Sequence, residues 1–265
     1  MSKNDRKQYQ SEEERLLIAK IVDKIEFCKT RNKIVNTDFL NIAEIGSIKK
    51  FLEEQKISNY FFFGGKDNAD RSILILYPEK ITEEMARKNI SNIVEIIRIS
   101  LPNELSYEHR DYLSGIMKLG IKREKFGDIL VIEHGADIVC LKEISEYLQM
   151  NLKELIRFKK STITVHDIEE LQNVTTEFEE LSIIVSSIRL DNFVSELARC
   201  SRTKAIEIIE EMRVFVNSIV QDKPAKKITE GDIITIRGKG KFIFDGIQRE
   251  TKNNKFVVNV RKYIW

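Results

Sequence analysis

The sequence predicts an α+β protein built from three small domains, and three observations lead there. The 265 residues are 42% apolar, enough for a folded core. Short helical and strand-like stretches are mixed along the whole chain. Charge is unevenly spread: residues 182–265 carry 16 basic and 10 acidic side chains, against 28 and 32 in residues 1–181. The near-neutral total of +2 therefore hides a basic C-terminal module. Length by itself suits two domains or three small ones.

The first domain is expected at 1–78, a helix pair plus a β-hairpin. Leu16, Leu17, Ala19, Ile21 and Ile25 give 12–30 an apolar stripe, and Glu12, Glu13 and Glu14 suit a helix start. Thr37 or Asp38 is the expected N-cap of a second helix running to about Gln55. The aromatic run 59–63 reads as a strand, 64–68 as a turn and 72–77 as the returning strand.

The second domain is expected at 79–166, a mixed sandwich in the split-βαβ style. Helices are predicted over 81–89, 107–119 and 143–150. Strands are predicted over 93–99, 128–133, 137–141 and 161–166. Asp167–Glu180 holds six acidic residues and no Lys or Arg, so 167–181 reads as an acidic linker or hinge.

The third domain, 182–265, has the clearest periodicity. Leu190, Phe193, Val194 and Leu197 follow i, i+3, i+4, i+7 on one helix. Ala205, Ile208, Ile209 and Met212 repeat that spacing on a second, with Ser201 as its N-cap. Short strands follow at 213–216, 219–220, 233–237, 242–244 and 256–260. Two helices packed on a small sheet result.

This order, with its particular residues, resembles the alpha-L RNA-binding motif, the small domain first named for ribosomal protein S-four. The matching stretches are Arg189-Leu190-Asp191-Asn192-Phe193, Ser201-Arg202-Thr203-Lys204-Ala205, Arg213-Val214-Phe215-Val216-Asn217 and Glu230-Gly231-Asp232. Met212 and Ser218 stand where many such domains have glycine, so a slight change of turn geometry is expected. The whole chain also resembles the YlmH family of bacterial RNA-binding proteins. That likeness rests on Thr37-Asp38-Phe39-Leu40, Phe62-Phe63-Gly64-Gly65, His109-Arg110-Asp111-Tyr112-Leu113 and 120–129. It implies a central RNA-binding domain followed by the alpha-L module, a place on the large ribosomal subunit, and a role in ribosome-associated quality control of stalled chains still attached to tRNA. A cell-division link is implied as well.

On that resemblance Arg189 and Arg202 are the principal RNA-binding residues. Each opens a helix, where free N–H groups and the helix dipole favour phosphate, and arginine grips phosphate through two donors. Pairing of Arg189 with Asp191 or Glu196 is the plain structural alternative. Asn192, Arg199, Ser201, Lys204, Arg237, Lys239 and Lys241 are expected to widen the face. Lys122, Arg123 and Lys125 form a second candidate RNA contact in the central domain, with a solvated loop as the alternative. Replacing Arg189 and Arg202 with Glu is expected to abolish ribosome binding and leave the fold intact. The partners expected are ribosomal RNA, the large subunit and peptidyl-tRNA, for a monomer in the cytoplasm.

Other classes are weighed against this. No apolar run approaches the roughly 18 residues that a membrane span needs. The polar start Met1–Gln10 shows no secretory signal. Cys28, Cys140 and Cys200 are too scattered for a disulfide framework or zinc site, and His109, His134 and His166 lack ligand spacing. No metal, cofactor or catalytic residue is expected. His109-Arg110-Asp111 opens like a kinase catalytic loop, but Ile116 stands where that loop needs Asn. Arg189-Leu190-Asp191 also matches the arginine–leucine–aspartate of pseudouridine synthases. An RNA-modifying enzyme is therefore the alternative, and a cell-division adaptor a third reading.

Overall fold

Leu74 and Leu76 face one way from the strand Arg71–Leu76, while Ile73 and Ile75 face the other, and all four are buried. A strand buried on both faces needs a layer on each side. That requirement organises the first of two compact units, residues 1–174; the second is 175–265. The computed structural model describes residues 12–67, 69–172 and 177–264. The polar start Met1–Gln10, Asn68 of the expected turn and 173–176 of the expected hinge lie outside those residues.

In the first unit, helix α1 (Glu12–Arg31) is followed by β1 (Val35–Asn36), β2 (Leu40–Asn41), α2 (Ile42–Glu54), β3 (Tyr60–Phe63) and β4 (Arg71–Leu76). Strand β4 pairs antiparallel with β1 and β2 along one edge and with β3 along the other. Helices α1 and α2 cover the Leu74/Leu76 face. The expected N-cap of α2 is corrected. The Thr37 hydroxyl accepts the Leu74 N–H at 2.9 Å, and α2 starts later. Its cap is Asn41, whose side chain accepts from Ala43 and Glu44 N–H while Glu44 reaches back to the Asn41 N–H.

The chain continues through α3 (Glu83–Lys88), β5 (Val94–Ser100), α4 (His109–Lys118), β6 (Phe126–Ile132), β7 (Gly135–Leu141), α5 (Lys142–Leu152) and β8 (Thr162–Asp167). The strands form an antiparallel sheet in the order β6-β7-β5-β8. With α4 and α5 on one face this is the split-βαβ arrangement. Alternation again feeds two cores. Ile97, Ile99, Ile138 and Cys140 meet α4 and α5, while Val94, Ile96, Val139 and Leu141 meet Ile73, Ile75 and Phe61 of the first sheet. The unit therefore has four layers: helices, sheet, sheet, helices. The sequence separates 1–78 from 79–166, yet the structure gives these stretches a common core between the two sheets. Hydrogen bonds reinforce it: Phe39 N–H donates to the Glu124 carbonyl, and the Asp70 and Arg71 N–H groups donate to the Asp128 carboxylate.

The second unit comprises β9 (Glu177–Val185), α6 (Leu190–Ala198), α7 (Arg202–Glu210), β10 (Val214–Val216), β11 (Ile219–Val220), β12 (Ile233–Ile236), β13 (Gly240–Glu250) and β14 (Phe256–Ile264). Its antiparallel sheet runs β11-β10-β12-β13-β14-β9, with α6 and α7 packed on one face around Phe193, Ile209, Phe242 and Val258. Part of the stretch read as a hinge is thus a strand. Strand β9 pairs with β14 along its length, and Glu179 lies 3.3 Å from Lys262. Counting acids hid the alternation of Phe178 and Glu179, which suits a strand paired with a basic neighbour. Another part, Ile168–Glu170, is a short 3-10 turn with Ile168 buried in the first unit.

Met212 and Ser218 do not move the backbone out of the glycine-type region. Met212 has φ 57° just beyond α7, and Asn217 and Ser218 have φ 51° and 67° between β10 and β11. The left-handed backbone is adopted with side chains in place, and those side chains carry its steric cost.

Candidate nucleic-acid interface

Strand β9 ends at Val185, and a short link delivers Arg189 as the N-cap of α6. Its neighbour Leu190 is apolar and faces the core, while Asp191 closes over the first helical turn. Asp191 is fully buried. A buried carboxylate needs partners, and it has five hydrogen bonds. Arg189 donates from Nε to Oδ1 at 3.1 Å and from Nη2 to Oδ2 at 3.0 Å. Arg202, the first residue of α7, donates from Nε and Nη2 to Oδ2 at 2.9 and 2.8 Å. The Asn192 N–H supplies the fifth. Burial pushes the Asp191 carboxyl up, but the bonds from Arg202 and Arg189 and their charges outweigh it and hold it below its ordinary value.

The structural alternative for Arg189, pairing with Asp191, is thus observed. It applies to Arg202 as well, and it brings the two arginines together. Both side chains stay open to solvent, 40% and 54% exposed. Asp191 cancels one of their two charges and fixes the geometry of both.

The remaining candidates separate. Ser201 caps α7, its hydroxyl accepting the Lys204 N–H at 3.2 Å. Lys204 is exposed but bound to Glu207 at 2.7 Å, and that bond raises its ammonium above the usual value. Arg199 is exposed at the C-cap of α6 in a left-handed conformation. Asn192 is buried and serves the fold: it accepts from Ser186 Oγ and donates to Ser187 Oγ. Arg237 and Lys239 are exposed in the β12–β13 hairpin beside Arg213, past the far end of α7 from Arg202. Arg237 lies over the Phe215 ring at 5.2 Å. Lys241 is corrected: it is 5% exposed, with its ammonium 5.1 Å from the Tyr263 ring. Phe242 and Phe244 face the core under α6 and α7, so strand alternation puts Lys241 on the other face of the sheet, where it is covered and does not extend a surface patch.

Three lysines take that place. The loop 222–227 lies against the start of α6, with Leu190 N–H bonded to the Lys226 carbonyl and Asp191 N–H to the Pro224 carbonyl. Arg189 and Lys227 form a β-bridge. Lys223 and Lys227 are exposed and Lys226 is half-buried. These backbone bonds bring basic residues more than thirty positions from Arg189 to its side. Only the density of lysine in 223–227 hinted at them.

The second candidate group, in the first unit, is mostly tied into the fold. Lys122 is exposed. Arg123 Nη1 donates to the Phe126 and Gly127 carbonyls at 2.6 and 3.0 Å, and its guanidinium lies 4.3 Å from the Phe126 ring. Lys125 bridges Asp38 and Glu143 at 2.9 and 2.7 Å, linking the first sheet's loop to α5.

Residues 91–171, from just before β5 to just past β8, match the family model described as "Putative RNA-binding domain in YlmH". Residues 188–234 match the S4 domain model, which takes in Arg189, Asp191, Arg202 and the lysine loop. The chain is 27% identical over 256 residues to "Ribosome-associated protein quality control protein P2" of Bacillus subtilis (strain 168), covering 96% of this chain and 97% of that one. It also aligns with the solved structure titled "Cell division protein ylmH from Streptococcus pneumoniae", at 20% identity and TM-score 0.47, over 63% of this chain and 98% of that one. The chain thus carries the RNA-binding domain described for YlmH followed by an S4 (alpha-L) domain in its second unit, and it is similar to a ribosome-associated quality control protein along nearly its full length.

Proposed function

We propose that the chain is a non-enzymatic, cytoplasmic RNA-binding protein that docks on structured ribosomal RNA of the large subunit, with peptidyl-tRNA, in quality control of stalled translation. The observation that carries this is the arginine pair on Asp191, flanked by Lys223, Lys226 and Lys227. Two exposed guanidiniums fixed in one geometry can each take phosphate through two donors without ordering a floppy side chain first. Folded RNA is met through its backbone and shape, which suits a rigid basic face. The name of the Bacillus subtilis relative gives the ribosome and quality control as the setting. The alternative of a pseudouridine-synthase-like enzyme would need Asp191 as an accessible catalytic group. Buried between two arginines, it has no approach to a nucleobase.

Co-sedimentation with ribosomal subunits over a salt series tests the reading. Changing Arg189 and Arg202 to Glu, as the sequence suggests, would leave the buried Asp191 uncompensated and threaten the fold. The better variant is Arg189→Gln/Asp191→Asn/Arg202→Gln, checked for folding by circular dichroism. Migration of the wild type with the large subunit, abolished in the folded variant, is expected. Equal migration of both would sink this face. Failure of the wild type to migrate with either subunit would leave the cell-division adaptor as the next reading, and exposed Met150 and Ile156 are where a protein partner would be sought.

A further inference from the structure

Strand β13 outlasts its pairing with β12, which covers only Gly240–Ile243. Beyond Ile243 its strand partner among the described residues is β14, and the two close through the turn 251–255. That turn is tightly made. The Thr251 N–H donates to the Lys255 carbonyl at 2.7 Å, and the Asn254 N–H to the Thr251 carbonyl at 3.0 Å. The Lys255 N–H donates to Thr251 Oγ1 at 3.0 Å. Asn254 takes the left-handed backbone that ends such short hairpin loops, with φ 53°. Register shifts at Asp245 and Gln248 add twist below it. Residues 247–250 and 252–255 are all exposed. Arg249, Lys252 and Lys255 share this stretch with one acid, Glu250, and none of the three has an ion-pair partner among the described residues.

Hydrogen bonds fix where this hairpin stands. Val185, the last residue of β9, pairs with Phe256, the first of β14. The next residue, Ser186, donates from Oγ to Asn192 Oδ1 at 3.0 Å in the first turn of α6, and Asn192 Nδ2 donates to Ser187 Oγ at 2.7 Å. The Arg189 N–H donates to the Ser187 carbonyl at 2.9 Å. These bonds fold the link 186–189 against the helix start, so the hairpin turn stands at the same end of the sheet as the arginine pair. Chain reach places Lys255 within about 25 Å of Arg189. The loop bearing Lys226 and Lys227 runs on to Gly231, whose N–H donates to the Phe244 carbonyl of β13 at 2.8 Å. The basic loop and the hairpin are thus tied together as well. The start of α6 itself offers phosphate no backbone donor: Leu190 and Asp191 N–H groups go to loop carbonyls, Asn192 to Asp191 Oδ1 and Phe193 to the Arg189 carbonyl. An anion there is met by side chains alone.

We propose that the β13–β14 hairpin is a second prong of the RNA interface, with Arg249, Lys252 and Lys255 on the sugar-phosphate backbone of the same folded RNA that the arginine pair engages. This rests on the RNA-binding reading above and extends its face. Three unpaired cations on a rigid, exposed turn complement a polyanion, and backbone contacts of this kind position a folded RNA without reading its sequence.

The test is binding of the full chain to protein-free large-subunit ribosomal RNA and to intact large subunits over a salt series. Lys252→Ala/Lys255→Ala removes two exposed charges, and Lys20→Ala/Lys29→Ala on the exposed side of α1 removes as many elsewhere. The hairpin variant should bind the RNA about tenfold more weakly and lower the slope of log K against log salt by about 0.7–0.9 for each phosphate lost, with an unchanged circular dichroism spectrum. The α1 variant should bind as the wild type does. Equal losses in the two variants would reduce the effect to net charge and overturn the prong. No loss in the hairpin variant, while Arg189→Gln/Asp191→Asn/Arg202→Gln abolishes binding, would overturn the prong and leave the arginine face standing. A loss on intact subunits without one on protein-free RNA would assign the hairpin to a ribosomal protein instead. A wild type that binds neither probe would take the RNA-binding reading down together with the prong.

Discussion

Arg202, at the start of α7, lies across the buried carboxylate of Asp191 with Nε and Nη2 at 2.9 and 2.8 Å from the same oxygen. This bond fastens the second helix to the first turn of α6. It also makes a residue that looks like an RNA ligand part of the fold. On the function proposed above, binding and stability are linked through one carboxylate, and neither arginine could be removed without disturbing both.

Asp191→Asn should cost the second unit about 1–3 kcal/mol, because an amide cannot accept all the bonds the carboxylate accepts. Asp191 is held below its ordinary value, so its contribution is fully present above the unfolded aspartate value of about 3.9 and fades as pH falls through the folded one. Thermal melts should show wild type and Asp191→Asn converging as pH is lowered from about 5 towards 2. A gap that stays constant over that range would show that the charge is not what stabilises.

Lys226→Ala/Lys227→Ala and Lys241→Ala should fail in different ways. The loop pair should weaken RNA binding and reduce the slope of log K against log salt by about 0.7–0.9 for each phosphate that the variant no longer engages. Lys241→Ala should lower the melting temperature and leave the salt slope unchanged, because that side chain is buried against Tyr263. A reduced slope for folded Lys241→Ala would return Lys241 to the interface.

Met212→Gly and Ser218→Gly should each stabilise the protein by about 0.5–1 kcal/mol. Both positions have left-handed backbone, where glycine avoids a steric cost of roughly 1–2 kcal/mol but gives up entropy in the unfolded chain. Ser218→Gly also creates the Asn-Gly pair preferred in a two-residue hairpin turn. Denaturant midpoints measure both, and a drop in stability at either would mean the existing side chain makes interactions that outweigh strain.

Gly127→Ala should destabilise the first unit by about 1–3 kcal/mol through overpacking. A Cβ built there lies 2.6 Å from the Phe39 ring, which seats where the loop between β1 and β2 meets β6. Chemical denaturation followed by far-UV circular dichroism should show the effect, and a neutral result would mean Phe39 can move aside freely.

Much of this fold was written in local patterns. The extent of α1, the i, i+3, i+4, i+7 spacing of α6 and the Ser201 cap stand where the sequence places them, but the buried face of α1 is Ile18, Ile21 and Cys28, which leaves Leu16 and Ala19 of the expected stripe exposed. Long-range pairing was less visible. Thr37 looked like a cap because its partner, the Leu74 N–H, is remote. Strand β9 looked like a hinge because β14, which neutralises its acids, lies far along the chain. The candidate site divides the same way. Arg189 and Arg202 were legible from their place at helix starts. The lysine loop 223–227 was not, since only tertiary backbone bonds set it beside them. Lys241 was misplaced because composition registers its charge and not the face of β13 it occupies.

Strand β9 also bears on how the molecule is made. It precedes α6, yet its sole partner strand among the described residues, β14, follows about seventy residues later. During synthesis α6, α7, β10 and β12 can assemble while β9 still has an open edge, and such non-local pairing closes slowly. Arrival of β14 is then the closing step of the second unit. A chain broken off before Phe256 would carry the arginine pair on an unfinished sheet with an exposed strand, the kind of edge that invites aggregation. Completion of this unit thereby waits on the synthesis of β14.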